Sequence, residues 1–227
     1  MPRKLRILAL HSIRSSGDIF ARQVQRAGIA TALQDLITVE YINAPWPAAI
    51  EPSPNTKSAS ARPRFQWYSA SQNAETGIWT FDERQAWQSI DQVRRYAKEH
   101  GPYDGVLAMS QGAVLISFLL LYDMNAAKDQ SFKPTVLGRF CIVMAGAYPT
   151  TPQVVGVSSE SRRLPVPSVH LIGDKDPVKK ESHRLMEMYE NPLHIPHSQG
   201  HVVPTLNAAQ LEQLRGFLKA QGAASKL

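Results

Sequence analysis

Hydrophobic positions along this chain alternate between two rhythms. Short unbroken apolar runs read as buried strands, and longer stretches repeat at helical spacing. Leu5 to Leu10 is strand-like, Ile19 to Leu33 helix-like, and Thr38 to Ile42 strand-like again. A helix restarts at Thr80, where Thr-Phe-Asp-Glu reads as a capping box with Thr80 as N-cap and Glu83 as its partner. Ala86, Ile90, Val93 and Ala97 then share one face, and Gly101-Pro102 ends the helix. Asp104 to Met109 is a strand, Gly112 to Met124 a strongly apolar helix, and Arg139 to Met144 another strand. Ser168 to Ile172 (strand), Pro177 to Tyr189 (helix), Leu193 to Ile195 (short strand) and Pro204 to Lys219 (helix) complete the pattern. Strands separated by helices imply parallel pairing with right-handed crossovers. The runs around Val106, Ile142 and Val169 are apolar on both faces, as a sheet covered on both sides requires. The predicted fold class is α/β, an open, doubly wound, mostly parallel sheet of about six strands.

Two irregular stretches interrupt this pattern. Ala44 to Ser71 is rich in Pro, Ser, Ala and Asn, lacks an apolar period, and ends in the aromatic cluster Phe65, Trp67 and Tyr68. Pro149 to Pro165 is the second. Long loops inside compact domains are uncommon and often form lids, the alternative being a plain surface insertion. The reading is a single domain over 1–222 with a lid-like insertion at 44–79 and a short tail at 223–227. At 227 residues one domain buries roughly 70% of its unfolded surface and needs no covalent staple. Cys141 is the lone cysteine, which excludes an intrachain disulfide and suits a reducing compartment.

Composition narrows the classes further. Hydrophobic residues at 43% and charged residues at 19% exclude a disordered or fibrous chain. The net charge of +6 is scattered over many segments, so no basic face argues for nucleic acid. It supports at most a mild preference for anionic substrates. The apolar stretch from Ala113 to Leu121 is too short to span a bilayer, so no membrane partner is expected. The first residues read as a buried strand, not a signal peptide.

Open α/β sheets place their sites at the carboxyl ends of strands. After one strand comes Ala108-Met109-Ser110-Gln111-Gly112, a small-x-Ser-x-Gly turn leading into an apolar helix. In a nucleophile elbow of this kind the hydroxyl is pushed above the sheet, and small flanking residues let the backbones pass. A helix-capping serine is the alternative. After another strand comes Gly173-Asp174-Lys175-Asp176-Pro177, where Asp176 would otherwise be only an N-cap before a proline at the first helical position. After the last strand comes His197-Ser198-Gln199-Gly200-His201, in which Gly200 gives the loop freedom to bring His201 over the sheet. His197 and His201 have the i, i+4 spacing of a metal site, but the glycine between them and the missing Glu argue against zinc. Ser, Asp and His in that chain order, each after its own strand, match an α/β-hydrolase. Ser110 would be the nucleophile, His201 the proton carrier, and Asp176 the group that fixes its tautomer. The backbone N–H groups of Gln111 and Ile13 are the candidate oxyanion donors, and His11 is read as a structural histidine holding its turn.

These motifs resemble the FSH-type serine hydrolases, a branch of the α/β-hydrolase superfamily. The resemblance runs from about Leu5 to Leu206. It is carried by L-A-L-H-S-I-R-S-S-G-D-I-F, H-G-P-Y-D-G-V-L-A-M-S-Q-G-A, P-S-V-H-L-I-G-D-K-D-P-V and Q-G-H-V-V-P. It places the family's triad on Ser110, Asp176 and His201. The chain departs from the family pattern at Ser12, where His-Gly is usual, at Ser15, where Gln is usual, and at Ala108, where the elbow glycine is usual. The resemblance implies an esterase or thioesterase without cofactor or metal. Several fungal members handle polyketide or other acyl products in secondary metabolism. Two alternatives stand beside hydrolysis: an acyltransferase or cyclase using the same residues, and an acyl-binding protein with little turnover.

Ser225-Lys226-Leu227 reads as a peroxisomal address recognised by an import receptor, which implies a eukaryotic source. In that organelle an acyl substrate would commonly be linked to coenzyme A, whose charge suits a basic protein. The insertion, with Arg62, Arg64, Phe65, Trp67, Tyr68 and Trp79, is the expected substrate-binding wall.

Overall fold

The computed structural model describes residues 3–48, 63–72, 79–126, 138–148 and 163–224. The chain runs β1 (Leu5–Leu10), α1 (Gly17–Arg26), α2 (Ile29–Leu33), β2 (Ile37–Ile42), β3 (Trp46–Pro47), β4 (Phe65–Gln66), β5 (Ala70–Gln72) and β6 (Trp79–Phe81). It continues through α3 (Glu83–His100), β7 (Gly105–Met109), α4 (Gln111–Ala126), β8 (Cys141–Met144), β9 (Ser168–Gly173), α5 (Lys179–Met186), β10 (Leu193–His197) and α6 (Ala208–Ala224). Six strands form one sheet in the order β10-β9-β8-β7-β1-β2. Every pairing in it is parallel. The predicted doubly wound sheet is therefore the observed one.

Strand alternation builds two cores from one sheet. Leu8, Leu10, Val106, Ala108, Cys141 and Val143 turn to one face, where Ile90 and Val93 of α3 and Ile116 and Leu119 of α4 cover them. Ile7, Ala9, Leu107, Met109, Ile142 and Met144 turn to the other, against Phe20 and Val24 of α1 and Leu214 and Leu218 of α6. Helix α4 is apolar around most of its circumference because it is enclosed, with Leu115, Phe118, Leu120 and Leu121 all buried.

Four local expectations are corrected. The single helix over Ile19 to Leu33 is two, because Gly28 adopts φ +78° and breaks the ladder between α1 and α2. Thr80 is not an N-cap: it lies in β6, paired with Ser71, and Asp82 caps α3 by accepting the Gln85 N–H at 3.0 Å. The reciprocal capping box is elsewhere, at the start of α6. There Asn207 accepts from the Gln210 N–H at 3.0 Å, and the Gln210 side chain accepts from the Asn207 N–H at 2.8 Å. Pro177 is not the first residue of its helix, since α5 opens at Lys179. The stretch Ala44 to Ser71 is also not wholly irregular, because β3 pairs with β4, and β5 pairs with β6 just beyond. Most of that insertion, residues 49–62 and 73–78, lies outside the described residues, as do most of the second irregular stretch and the tail residues Ser225, Lys226 and Leu227.

The sheet order creates the position of the site. The chain leaves β1 toward β2 and then returns to place β7 on the other side of β1, so the topology reverses between β1 and β7. That crevice at the carboxyl edge is where open α/β sheets bind ligands. Leu10 pairs with Ala108, so the turns that follow the two strands leave the sheet side by side. They fit only because Gly112 carries no side chain: a Cβ there would sit 2.6 Å from the Leu10 carbonyl oxygen and 2.8 Å from that of His11. Both obstacles are backbone and neither can yield without shifting β1. Gly112→Ala is expected to destabilise the fold by about 1–3 kcal/mol, read as a lower urea midpoint at unchanged m value.

Candidate active site

Ser110 stands between β7 and α4 with φ +51°, a left-handed conformation that costs a non-glycine residue energy and lifts its side chain out of the sheet. Its N–H donates to the Met144 carbonyl at 2.9 Å, and its carbonyl accepts from Val114 at 3.0 Å, so sheet and helix together hold the strained residue. Gln111 is the first residue of α4, and helix geometry leaves its N–H without an intrahelical acceptor. No hydrogen bond among the described residues uses the Ile13 N–H in the neighbouring turn.

The three residues singled out from sequence come together. Ser110 Oγ lies 2.9 Å from His201 Nε2. His201 Nδ1 lies 2.9 Å from Asp176 Oδ2 and 3.1 Å from Oδ1. The Asp176 side chain is 0% exposed and that of His201 is 34% exposed, so the carboxylate is shielded while the imidazole reaches the cleft. Asp176 Oδ1 also accepts the Val178 N–H at 2.9 Å, a local turn that aims the carboxylate. A buried carboxylate on one ring nitrogen and a hydroxyl on the other can fix an imidazole's tautomer and let it take the hydroxyl proton. A cleft of about 420 Å³ opens beside Ser110 and His201, with Ile13, Met109 and Val203 in its walls.

The loop carrying His201 is held by a residue that spacing did not reveal. Gln199 donates from its side chain to the Thr205 carbonyl at 2.9 Å and accepts the Thr205 N–H at 3.2 Å. Its own carbonyl accepts the Lys175 N–H at 3.1 Å, tying the His201 loop to the Asp176 loop. Gly200, expected to give the loop its freedom, is not in a left-handed conformation. It packs beneath the Lys175 carbonyl, which a Cβ would approach to 3.4 Å. The glycine the crossing requires is Gly173, where a Cβ would meet the Gln199 and Gly200 carbonyl oxygens at 2.5 and 2.7 Å.

The expected aromatic wall is largely a clamp. Trp67 is wholly buried and Tyr68 nearly so, and both belong to the core beside α3 and α4. Trp67 donates its indole N–H to the His11 carbonyl at 2.8 Å. The Gln111 side chain accepts the Trp67 N–H and donates to the Tyr68 carbonyl, both at 2.8 Å, while Ser89 donates to the Trp67 carbonyl. Trp67 and Tyr68, expected against substrate, thus lie in the core and do not line the cleft beside Ser110, with the Trp67 indole and both residues' backbone carbonyls committed to the framework. Phe65 is half-buried and exchanges backbone hydrogen bonds with Ser15, and Arg64 is exposed and donates to the Arg14 carbonyl at 3.0 Å. Trp79 lies in β6, its side chain outside the described residues, as is Arg62. Excision of the whole insertion would thus remove core.

His11 is the structural histidine expected. Its Nε2 accepts the Ala44 N–H at 3.0 Å, which leaves Nδ1 to donate to the Ser12 carbonyl at 2.7 Å. His197 is buried, and burial holds its ring below the usual imidazole range. No group of His, Cys, Asp and Glu among the described residues is arranged to hold a metal ion, and no described helix is long and apolar enough to cross a membrane.

A doubly wound sheet with a strained serine at its switch point and Asp and His on the following loops defines an α/β-hydrolase. The match to known proteins is more specific. Residues 1–213 match the family model described as Serine hydrolase (FSH1), and the chain belongs to that family. Relatives include Esterase C25G4.2 of Caenorhabditis elegans, 29% identical over 96% of this chain and 94% of its own length. Esterase OVCA2 of Xenopus tropicalis is 30% identical over 89% and 87%. Among solved structures, acyl-protein thioesterase 2 of Zea mays superposes with a TM-score of 0.60 at 16% identity, covering 98% of this chain and 95% of that one, a likeness of fold.

Burial pushes the His11 imidazole down to about 4 from an ordinary 6.5. The unfolded chain therefore takes up a proton here that the folded chain refuses, and stability falls as pH drops from 6.5 to about 4. Urea midpoints across that window are expected to fall less steeply in His11→Gln, whose amide can still accept the Ala44 N–H.

Proposed function

We propose that this serine hydrolase cleaves carboxylic esters or thioesters through an acyl-enzyme on Ser110. The observation that carries this reading is the continuous contact from Ser110 Oγ through His201 to the buried Asp176, with 2.9 Å at each link. Ser110 Oγ bonds to the acyl carbon as its proton passes to His201 Nε2. The tetrahedral oxyanion is met by the Gln111 and Ile13 N–H groups. Collapse breaks the bond to the alcohol or thiol, which leaves with the proton from His201. Water then attacks the acyl-enzyme with His201 as base, releasing the acid and restoring Ser110.

The departures at Ser12, Ser15 and Ala108 are compatible with this chemistry. The proposed oxyanion donors are backbone groups. Ala108 is buried in β7, where its methyl is packed in the core, and Ser15 uses its backbone to pair with Phe65. The names of the relatives favour esters, and thioesters of coenzyme A or polyketide-type carriers extend the same acyl transfer. Transfer to an acceptor other than water would give an acylated or cyclised product in place of free acid. Peroxisomal placement, read from Ser225-Lys226-Leu227, belongs to this proposal, and a fluorescent protein ending in these residues tests it.

Ser110→Ala is expected to lower ester turnover by at least about 10³-fold, and Asp176→Asn by about 10⁴-fold, with melting temperatures little changed. Fluorophosphonate labelling should occur in the wild type and vanish in Ser110→Ala. Acyl-CoA thioesters run beside oxygen esters of matched acyl groups assign the leaving-group class. A folded wild type that neither labels nor turns over any of them would overturn the proposal.

A further inference from the structure

The cleft beside Ser110 and His201 does not end at the reacting groups. It follows α1 toward its last turn, where Gln23 and Arg26 join the lining. Residues three apart share a helix face, so these two side chains present hydrogen-bond donors to the same space. Arg26 is exposed and has no hydrogen bond or ion pair among the described residues. No Asp or Glu lines the cleft. The buried Gln23 Oε1 has no partner and, being an acceptor, does not serve an anion; it is the amide Nε2, which makes no hydrogen bond among the described residues, that can donate to one. Around Ser110 and His201 the lining mixes the apolar Ile13, Met109, Val202 and Val203 with Ser12 and Thr205, and Val202, next to His201, is 43% exposed. Helix α1 opens at Gly17, near the carboxyl edge of β1, and Arg26 ends it, which sets the cation roughly 13 Å along the helix axis from that opening.

We propose that Gln23 and Arg26 form an anion subsite of the substrate cleft, selecting esters or thioesters that carry a carboxylate or phosphate at the far end of an apolar chain. The proposal rests on the hydrolase reading for the placement of the scissile bond at Ser110. A guanidinium without an internal partner, in a cleft that has apolar side chains beside the serine and lacks acidic ones, matches a chain that is apolar next to the reacting carbonyl and anionic at its end. The anion has two chemical sources, a terminal carboxylate on the acyl chain or the phosphates of a coenzyme A leaving group.

The test separates the subsite from catalysis. Binding of the monoamides of dicarboxylic acids from adipate to sebacate is measured by calorimetry beside neutral alkyl amides of matched length, in wild type, Arg26→Gln and Arg26→Lys. Wild type is expected to favour the anionic amide of best-fitting length by about three- to five-fold, the upper part of the range for a solvent-exposed charge pair. Arg26→Gln should lose that preference without weaker binding of the neutral amide, and Arg26→Lys should keep part of it. Gln23→Leu should reduce it with Arg26 intact. Turnover of dicarboxylate monoesters, and of coenzyme A beside pantetheine thioesters of one acyl group, then shows which source of anion the preference follows. Equal affinity for anionic and neutral ligands in wild type, with no preference for coenzyme A over pantetheine, overturns the proposal, as does a preference that survives Arg26→Gln. Discrimination in binding with no turnover of any ester overturns the hydrolase reading and leaves the subsite standing. Thermal midpoints of the variants should match wild type, since Arg26 otherwise serves only the carboxyl end of the α1 dipole.

Discussion

The first turn of α4 must pass against the end of β1, and Gly112 under the Leu10 and His11 carbonyls makes that approach possible. Most of the site follows from this contact. It sets the sharp turn that leaves Ser110 at φ +51°. It also brings the Gln111 N–H alongside the turn containing Ile13, at the point where the sheet topology reverses. A bulkier residue would part the two strand ends and move the turn containing Ile13 away from Ser110 and Gln111. The strain at Ser110 is held by hydrogen bonds from β8 and α4, so a rigid, twice-covered sheet sustains a conformation that an isolated peptide would avoid.

Around this contact the protein distributes support among residues with no part in the chemistry. Gln111 carries one of the proposed oxyanion N–H groups and commits its side chain to Trp67 and Tyr68, so one residue couples the elbow to the inserted segment. His11 braces the opposite side of that segment through its carbonyl and its ring. Gln199 performs the equivalent task for His201, closing the loop on itself and onto the Asp176 loop. The reacting atoms therefore rest on groups fixed by the backbone of neighbouring strands, the condition under which preorganised donors stabilise developing charge.

Family membership and site geometry point the same way, yet they speak to different levels. The match over residues 1–213 makes the chain a serine hydrolase of the FSH1 family. The geometry supplies the contacts of Ser110, His201 and Asp176 on which the proposed proton path rests, and a cleft beside them lined by Ile13, Met109, Val203 and, further along α1, Arg26.

The amino-acid sequence alone determined the sheet, because runs such as Val106 to Met109 and Cys141 to Met144 are apolar on both faces and only a twice-covered strand tolerates that. It also marked Ser110, Asp176 and His201, because strand-end turns carry recognisable local chemistry. Tertiary structure decided what depended on residues distant in the chain. Thr80 lost its cap to a strand pairing with Ser71, and Gly28 divided one periodic helix into two. The aromatic residues Trp67 and Tyr68 were drawn into the core by Gln111, His11 and Ser89, and Gln199 became the brace of the histidine loop. Hydrogen bonds spanning tens of residues leave no periodic trace, and only the packed fold brings their two ends together.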